Sequence, residues 1–212
     1  MTMEFGGLRR SSRCWLGGVV AVLSACVLAA HAGGTEAESS DLERALGAPI
    51  IPGETAAGVR LGDDREALAR TLGAADTVET FTVALLEMNV YRKIDLTRKT
   101  MTMILVTFTI GQRGADSITI ISDRQPPTPF TYLGRTSQGY RMGESAERLK
   151  RLHGEPDVVF TRPPDMRSYY WYRSLGLLVS PEARETDYTE AQISIVKPNI
   201  SRDEVERLVF PK

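Results

Sequence analysis

The pattern of apolar and polar positions predicts two similar series of elements along the chain. Each series begins with an apolar residue and a glycine, followed by an acidic or hydroxyl residue and a short amphipathic helix. Runs rich in Val, Ile, Thr and aromatic residues follow each helix and alternate with a period of two, as antiparallel strands do. The predicted strands are 80–86, 88–96, 101–110 and 117–122 in the first series and 158–161, 167–172, 175–180 and 192–196 in the second. Because strands follow a helix rather than alternate with helices, the pattern predicts an α+β fold.

The two series are related by a constant offset in sequence number, which places position 58 of the first opposite position 139 of the second. Nine of the 22 positions in 58–79 recur in 139–160: Gly58/Gly139, Arg60/Arg141, Gly62/Gly143, Glu66/Glu147, Leu68/Leu149, Arg70/Arg151, Gly73/Gly154, Asp76/Asp157 and Val78/Val159. This predicts a tandem repeat in which each copy is a helical lead-in followed by a three- to four-stranded antiparallel meander. The copies are expected at 41–122 and 130–200, with a Pro-rich linker at 123–129 and a C-terminal helix at 201–212.

The N-terminal segment, 1–32, has the features of a signal peptide for export. Three arginines precede an uncharged apolar run at 15–30, and Ala30-His31-Ala32 forms a small-x-small cleavage site. Two alternatives remain open. The run can stay uncleaved as a membrane anchor, or Cys26 can be lipidated, since Leu23-Ser24-Ala25-Cys26 resembles the lipobox of bacterial lipoproteins. Each route predicts a periplasmic or extracellular protein, or an outer-membrane lipoprotein, and residues 33–40 are expected to form a flexible tether.

Composition narrows the classes of partner. Both cysteines, Cys14 and Cys26, lie in the predicted signal peptide, so a chain cleaved after Ala32 has no thiol for a disulfide, a metal or nucleophilic catalysis. The predicted signal peptide contains three of the 26 basic residues and one of the 27 acidic residues. The rest of the chain therefore has a net charge of −3. This weak charge argues against nucleic-acid partners, and membrane contact is expected only through a lipid anchor or an uncleaved signal.

Residues capable of catalysis are scarce in the sequence. Histidine is the usual general base near neutral pH, but His153 takes the helix position that Leu72 holds in the other copy, so we expect it to be structural. The chain has neither a G-x-S-x-G turn nor a phosphate loop ending in G-K-[ST]. The repeated Arg60 and Arg141 are expected to hold their own turns or to pair with the repeated aspartates rather than to bind an anion. We therefore predict a protein that is not an enzyme and has no cofactor and no metal.

A motif recurs in both copies. It consists of Arg60-Leu61-Gly62-Asp63, Gly73 and Asp76 in one, and of Arg141-Met142-Gly143-Glu144, Gly154-Glu155-Pro156-Asp157, Trp171-Tyr172 and Gly176-Leu177 in the other. This motif resembles that of the small outer-membrane assembly lipoproteins (SmpA/OmlA, or BamE-like) and of the fold-related tandem β-lactamase inhibitor proteins. The resemblance implies a non-enzymatic envelope protein that binds other proteins through its sheet and loops. This chain departs from the assembly lipoproteins in having two copies, and from the inhibitors in lacking cysteine after the predicted signal peptide.

An aromatic run on one predicted strand is the candidate partner-binding surface. It consists of Tyr169, Tyr170 and Trp171, flanked by Arg167 and Arg173, and aromatic residues beside arginine are frequent in binding hot spots. Alternate residues of a strand face opposite ways, so one aromatic pair is expected to pack on helices and the other to lie on the open face.

These observations together predict an exported cell-envelope binding or scaffold protein that acts through its sheet face or an inter-repeat groove. Its partners are expected to be envelope proteins. Two alternatives remain open, namely a secreted inhibitor of a hydrolase such as a β-lactamase or protease, and a protein that binds a small molecule or a glycan.

Overall fold

Eight strands form one continuous antiparallel sheet in the computed structural model, which describes residues 36–96, 100–123, 131–163, 167–181 and 190–211. The strands in chain order are β1 (Thr55–Ala56), β2 (Val59–Arg60), β3 (Thr77–Phe81), β4 (Leu86–Asp95), β5 (Thr100–Thr109), β6 (Ala115–Asp123), β7 (Val158–Arg162), β8 (Arg167–Tyr172), β9 (Leu177–Ser180) and β10 (Glu190–Val196). The helices are α1 (Glu36–Leu46), α2 (Arg65–Leu72), α3 (Ala146–His153) and α4 (Arg202–Val209), with a 3₁₀ turn at Arg173–Leu175. The predicted signal peptide with Cys26 and the linker residues 124–129 lie outside the described residues.

The strand order of the sheet is β3-β4-β5-β6-β10-β9-β8-β7, and β1 and β2 pair separately. The last strand of the first predicted series pairs with the last strand of the second: β6 and β10 are antiparallel from Ser117↔Val196 to Asp123↔Glu190. The fold is therefore α+β with an antiparallel sheet, as the sequence pattern predicted. No helix in the described part of the chain has the length and apolarity needed to cross a bilayer.

Both faces of the sheet carry a hydrophobic core. On the first face, side chains such as Val106, Ile118 and Ile195 pack with residues of α1, α2 and α3. On the second face, residues of β8 and β9 pack with Val205 and Leu208 of α4. The alternation of side chains along each strand supplies both cores.

Short polar side chains cap the N-termini of three helices. Asp64 accepts the Ala67 N–H at 2.8 Å before α2, and Ser145 accepts the Arg148 N–H at 3.3 Å before α3. Ser201 likewise accepts a backbone N–H, at 3.1 Å, before α4. These short side chains satisfy donors that the first helical turn leaves without a partner.

Several predicted boundaries differ from the structure, two of them by four or more residues. Helix α1 begins at Glu36, so residues 36–40 are helical rather than part of the predicted tether. Glutamate and alanine have a high helix propensity, which outweighs the small, polar composition from which the tether was predicted. The predicted strand 80–86 is also wrong at its centre, because residues 82–85 form the turn between β3 and β4. The apolar Val83, Ala84 and Leu85 have the composition of a strand but occupy a turn.

Candidate functional site

Two of the predicted partner-binding residues are core residues. Trp171 is only 1% exposed, and Tyr169 is also buried. The Tyr169 ring lies edge-on to Phe210, with centroids 4.8 Å apart, and stacks on Phe160 at 5.6 Å. Because α4 covers these side chains, the expectation that they form a binding surface is wrong.

The remaining residues of that prediction do not form a cluster of exposed aromatic rings. Tyr170 is half-buried and packs against the first-face core, while Arg167 is half-buried at the start of β8. Arg173 is exposed, and its backbone N–H donates to Asp157 at 2.7 Å. Tyr172 is buried in the same core as Tyr170. Both aromatic pairs of β8 therefore pack against helices, and neither lies on an open face.

The repeated acidic residues act within their own turns. Asp157 accepts the Arg173 N–H, and the matching Asp76 accepts the Arg92 N–H. Asp76 thus ties the turn after α2 to β4, and Asp157 ties the turn after α3 to the residue that directly follows β8. A carboxylate that accepts a backbone N–H makes a strong charge-assisted hydrogen bond.

The repeated arginines also lie in equivalent turns. The Arg60 N–H donates to Asp63 at 2.8 Å, and the Arg141 N–H donates to Glu144 at 2.9 Å. The acid three residues after each arginine therefore closes the turn before the helix. The bonds use the main chain of each arginine, so they account for the repeated acid and leave the arginine side chain without an assigned role.

A groove opens where the segment before the first series meets the start of the second. It is lined by Gly47, Pro49, Ile50, Ile51, Leu133, Gly134, Arg135, Thr136 and Ser137 and has a volume of about 440 Å³. We call it the junction groove. Pockets that bind small molecules have volumes of roughly 300–1,000 Å³, so the groove is large enough to hold a group of that size or a few side chains.

Backbone hydrogen bonds hold the two walls of the junction groove together. The Ile50 N–H donates to the Arg135 carbonyl at 2.8 Å, and the Leu133 N–H donates to the Leu46 carbonyl at 2.8 Å. The walls approach so closely at Gly134 that a Cβ there would lie 2.1 Å from the Ala48 carbonyl oxygen. The groove is therefore preformed by main-chain contacts.

A buried tyrosine reinforces the same junction. Tyr132 is almost fully buried, and its hydroxyl donates to the Ala48 carbonyl at 2.6 Å. The oxygen of that hydroxyl also accepts the Ala57 N–H at 3.4 Å. Burial raises the pKa of the Tyr132 hydroxyl, so it stays protonated and keeps its role as donor.

The surface of the junction groove is mainly apolar. Ile51 is 39% exposed and Leu133 is 50% exposed, while Ile50 is fully buried beneath them. Arg135, on the rim, is the charged residue of the lining. Exposed branched apolar side chains around a concave surface favour binding of another apolar group.

A histidine lies directly behind one wall of the groove. His153 Nε2 lies 2.9 Å from Thr136 Oγ1, which also accepts the Tyr140 N–H at 3.1 Å. The imidazole packs between the Tyr140 and Tyr172 rings, with centroid distances of 6.4 and 5.8 Å. Burial lowers its pKa. Within the described ranges, its Nδ1 is buried and has no hydrogen-bond partner, so the ring is a packed side chain that supports Thr136.

The described residues contain no cluster of three or more His, Cys, Asp or Glu side chains placed to hold a metal ion. Arg135, in the lining of the groove, is exposed. Elsewhere, Lys150 pairs with Glu155 at 2.9 Å, just beyond the end of α3.

A second apolar feature lies at the turn between β3 and β4. Val83 is 91% exposed and Leu85 is 59% exposed, and Leu85 has a φ of +53°, which is unusual for a branched side chain. The Leu85 carbonyl accepts the N–H of Ile110, which is also exposed. We call Val83, Leu85 and Ile110 the apolar tip.

No protein-family model matches the chain, and no curated protein matches it. A solved structure that is similar is the crystal structure of a DUF4309 family protein (YjgB) from Bacillus subtilis subsp. subtilis str. 168. The identity is 10% and the TM-score is 0.39, and the match covers 74% of this chain and 94% of that chain.

Sequence reasoning missed the residues of both apolar features. The junction groove combines residues near 50 with residues near 135, and no motif links the two segments. The apolar tip was missed because its composition is that of a strand. A signal was available there: the equivalent positions of the second series read Pro163-Pro164-Asp165, a sequence that indicates a turn.

Proposed function

We propose that the protein is a non-enzymatic, exported cell-envelope binding or scaffold protein that holds an apolar segment of another envelope protein in its junction groove. The observation that carries this proposal is the preformed groove with exposed Ile51 and Leu133 walls. Main-chain hydrogen bonds fix the groove before a partner arrives, so binding loses little conformational entropy.

We further propose that the chain arose from two copies of one α+β unit of the BamE-like kind. Support comes from residues at matching positions of the two series, which have the same structural roles. Asp76 and Asp157 accept equivalent backbone N–H groups. Gly73 and Gly154 both end helices with a positive φ. The strand order adds support, because β3 to β6 and β7 to β10 run inward from the two edges of the sheet. In this interpretation, the groove lies between the two copies.

The chemistry of the groove restricts the class of partner. A fully buried aliphatic side chain contributes about 1.5–3 kcal/mol. Ile51 is 39% exposed and Leu133 is 50% exposed, so covering both contributes about 1–3 kcal/mol in total. Arg135, the cation among the described residues that line the groove, can pair with one acid of the partner. The best fit is a protein segment with adjacent aliphatic residues and a nearby carboxylate.

Recovery of partners from envelope extracts tests this proposal. The variant Ile51→Ser/Leu133→Ser removes the apolar walls, and Leu96→Ser is the matched control because Leu96 is an exposed leucine outside the groove. We expect the groove variant to lose the partner bands that the wild type and the control retain. Equal recovery by all three proteins, with unchanged circular dichroism, would exclude the groove as the binding site.

A further inference from the structure

We propose that a pocket beside α4 binds a small free α-amino acid through both of its charged groups. The pocket lies between the β5–β6 hairpin and α4 and has a volume of about 200 Å³. Its lining includes Asp116, Lys197, Ile200, Glu204, Arg207 and Leu208. We call it the α4 pocket. Among the described residues, it shares no lining residue with the junction groove, so this inference does not depend on the proposed function.

A β-bulge directs the Asp116 side chain toward α4. Ala115 and Ser117 lie opposite consecutive residues of β5, which leaves Asp116 between them as an extra residue of β6. The Ser117 hydroxyl points to α4, where it donates to the Leu208 carbonyl at 3.4 Å. Strict alternation would place Asp116 on the opposite face, whereas it lines the α4 pocket together with Leu208. Bulges are frequent beside functional sites because they change the direction of a side chain.

The Asp116 carboxylate uses only one of its oxygens in hydrogen bonds with the described part of the chain. The residue is 8% exposed, and its Oδ2 accepts the Thr109 N–H at 2.8 Å. Its Oδ1 lies 3.7 Å from Lys197 Nζ, which is longer than the roughly 2.7–3.2 Å of a hydrogen bond. Because a carboxylate buried this deeply is stabilised by further donors, Oδ1 is an acceptor for a donor group of a ligand.

The other charges of the α4 pocket restrict the class of ligand. Glu204 holds the Arg207 guanidinium through two hydrogen bonds, at 2.7 and 3.0 Å. Arg207 also donates to the Ala84 carbonyl at 2.8 Å, so this ion pair fastens α4 to the turn between β3 and β4. The Lys197 side chain, by contrast, is 62% exposed and can turn toward a ligand. A lone anion would be repelled by Asp116 and a lone cation by Lys197, so a molecule with both charges fits best.

The distance between the two charged groups matches an α-amino acid. Bond lengths place the ammonium nitrogen of such a molecule roughly 3 Å from a carboxylate oxygen, close to the 3.7 Å between Lys197 Nζ and Asp116 Oδ1. The ammonium group can therefore donate to Asp116 while the carboxylate accepts from Lys197, so that opposite charges alternate. The end of a peptide chain carries only one of these two charges and does not satisfy both residues.

The apolar part of the lining indicates the size of the ligand side chain. Ile200 and Leu208 form an apolar wall beside the charged groups. The volume of about 200 Å³ is below the roughly 300–1,000 Å³ of pockets for drug-sized ligands. A short aliphatic side chain fits these limits, so L-valine is the probe of choice.

A titration of the isotope-labelled full chain with L-valine, followed by amide NMR spectra, tests the inference. We expect saturable shifts of the Thr109, Asp116 and Glu204 signals, with a Kd of about 1 mM or below. The signals of Ile50 and Arg135, in the junction groove, are expected to stay unchanged. N-acetylvaline lacks the ammonium group and is expected to bind at least about 10-fold more weakly. Valinamide lacks the carboxylate and is expected to bind about 2- to 5-fold more weakly.

Two substitutions separate the contacts to the two charged groups. Asp116→Asn keeps an oxygen for the Thr109 N–H but removes the charge, so L-valine is expected to bind at least about 10-fold more weakly. Lys197→Gln is expected to weaken L-valine binding about 2- to 5-fold, without loss of valinamide binding. Lys150→Gln is the control, because Lys150 lies in α3 outside the pocket, and this variant is expected to bind as the wild type does.

Three results overturn the inference. They are the absence of a saturable shift up to about 20 mM L-valine, equal binding of L-valine and N-acetylvaline or valinamide, and a folded Asp116→Asn variant that binds as the wild type does. Circular dichroism establishes that each variant is folded. If Asp116→Asn does not fold, the exposed Lys197 still provides the test, and unchanged L-valine binding by Lys197→Gln then contradicts the inference.

Discussion

The Nε2 atom of His153 lies 2.9 Å from the Oγ1 atom of Thr136, which places a titratable ring directly behind the wall of the junction groove. At the matching position of the first series, the apolar Leu72 packs in the core. The helix end therefore does not need a histidine, and the contact with Thr136 is particular to the second half.

Stability is expected to fall as the pH drops below about 6.5, because His153 is harder to protonate in the folded state. Burial lowers its folded-state pKa below the unfolded value of 6.5, so the unfolded chain binds more protons in that range. The contribution of neutral His153 is complete above the unfolded pKa and is lost as the pH falls toward the folded pKa. Urea unfolding between pH 8 and pH 5 measures this dependence.

The matched variant for that experiment is His153→Leu, which copies Leu72. Its free energy of unfolding is expected to fall less over the same pH range. If the two proteins lose equal stability, the acid sensitivity comes from other groups.

Tyr132→Phe is expected to destabilise the protein by about 1–3 kcal/mol, because it leaves the buried Ala57 N–H without its acceptor and the half-buried Ala48 carbonyl without its donor. Tyr172→Phe is the control: that hydroxyl donates to the carbonyl of the exposed Gly154 at 3.1 Å, so its loss is expected to cost about 1 kcal/mol or less. Guanidinium unfolding curves of the two variants provide the comparison. A larger effect for Tyr172→Phe would contradict the role assigned to Tyr132 in the junction.

Gly134→Ala is expected to destabilise the protein by about 3 kcal/mol, since the added methyl group would meet both the Ala48 carbonyl at 2.1 Å and the Tyr132 hydroxyl at 2.5 Å. Gly47→Ala, in the same groove, meets nothing closer than 3.8 Å and is expected to change stability by less than about 1 kcal/mol. Thermal unfolding of both variants tests whether the two walls are in contact in solution. Similar melting temperatures would show that they are not.

Trp171→Ala is expected to cost about 3–5 kcal/mol of stability, as for other large core side chains. Arg173→Ala, two residues further and exposed, is expected to change stability by only about 0.5 kcal/mol. Chemical denaturation of the two variants tests whether Trp171 is a core residue. If Trp171 were on the surface, both substitutions would leave the free energy of unfolding nearly unchanged.

Local features of the fold could be predicted because neighbouring residues determine them. The caps Asp64 and Ser145 precede their helices, and alternating apolar residues such as Val106 and Phe108 mark the strands. These signals depend on positions close together in the sequence. From these local signals, the α+β class and the antiparallel strands could be predicted.

Features that depend on tertiary contacts could not be predicted in this way. The period of two correctly placed Tyr169 and Trp171 on one face, but α4, which comes after two further strands, covers that face. The junction groove requires Ile50 to meet Arg135, although most of the first series separates them in the sequence. Burial and concavity at these places follow from the path of the whole chain.

The pairing of β6 with β10 determines how the protein responds to cleavage of its main chain. Seven residue pairs along these strands join the halves in the middle of the sheet, so separation of the halves would strip main-chain donors and acceptors from two long strands at once. A nick between Asp123 and Thr131 should therefore leave two fragments that stay bound, and fragments made separately should reassemble when mixed. The same property makes the chain between Asp123 and Thr131 a natural place to insert a reporter domain.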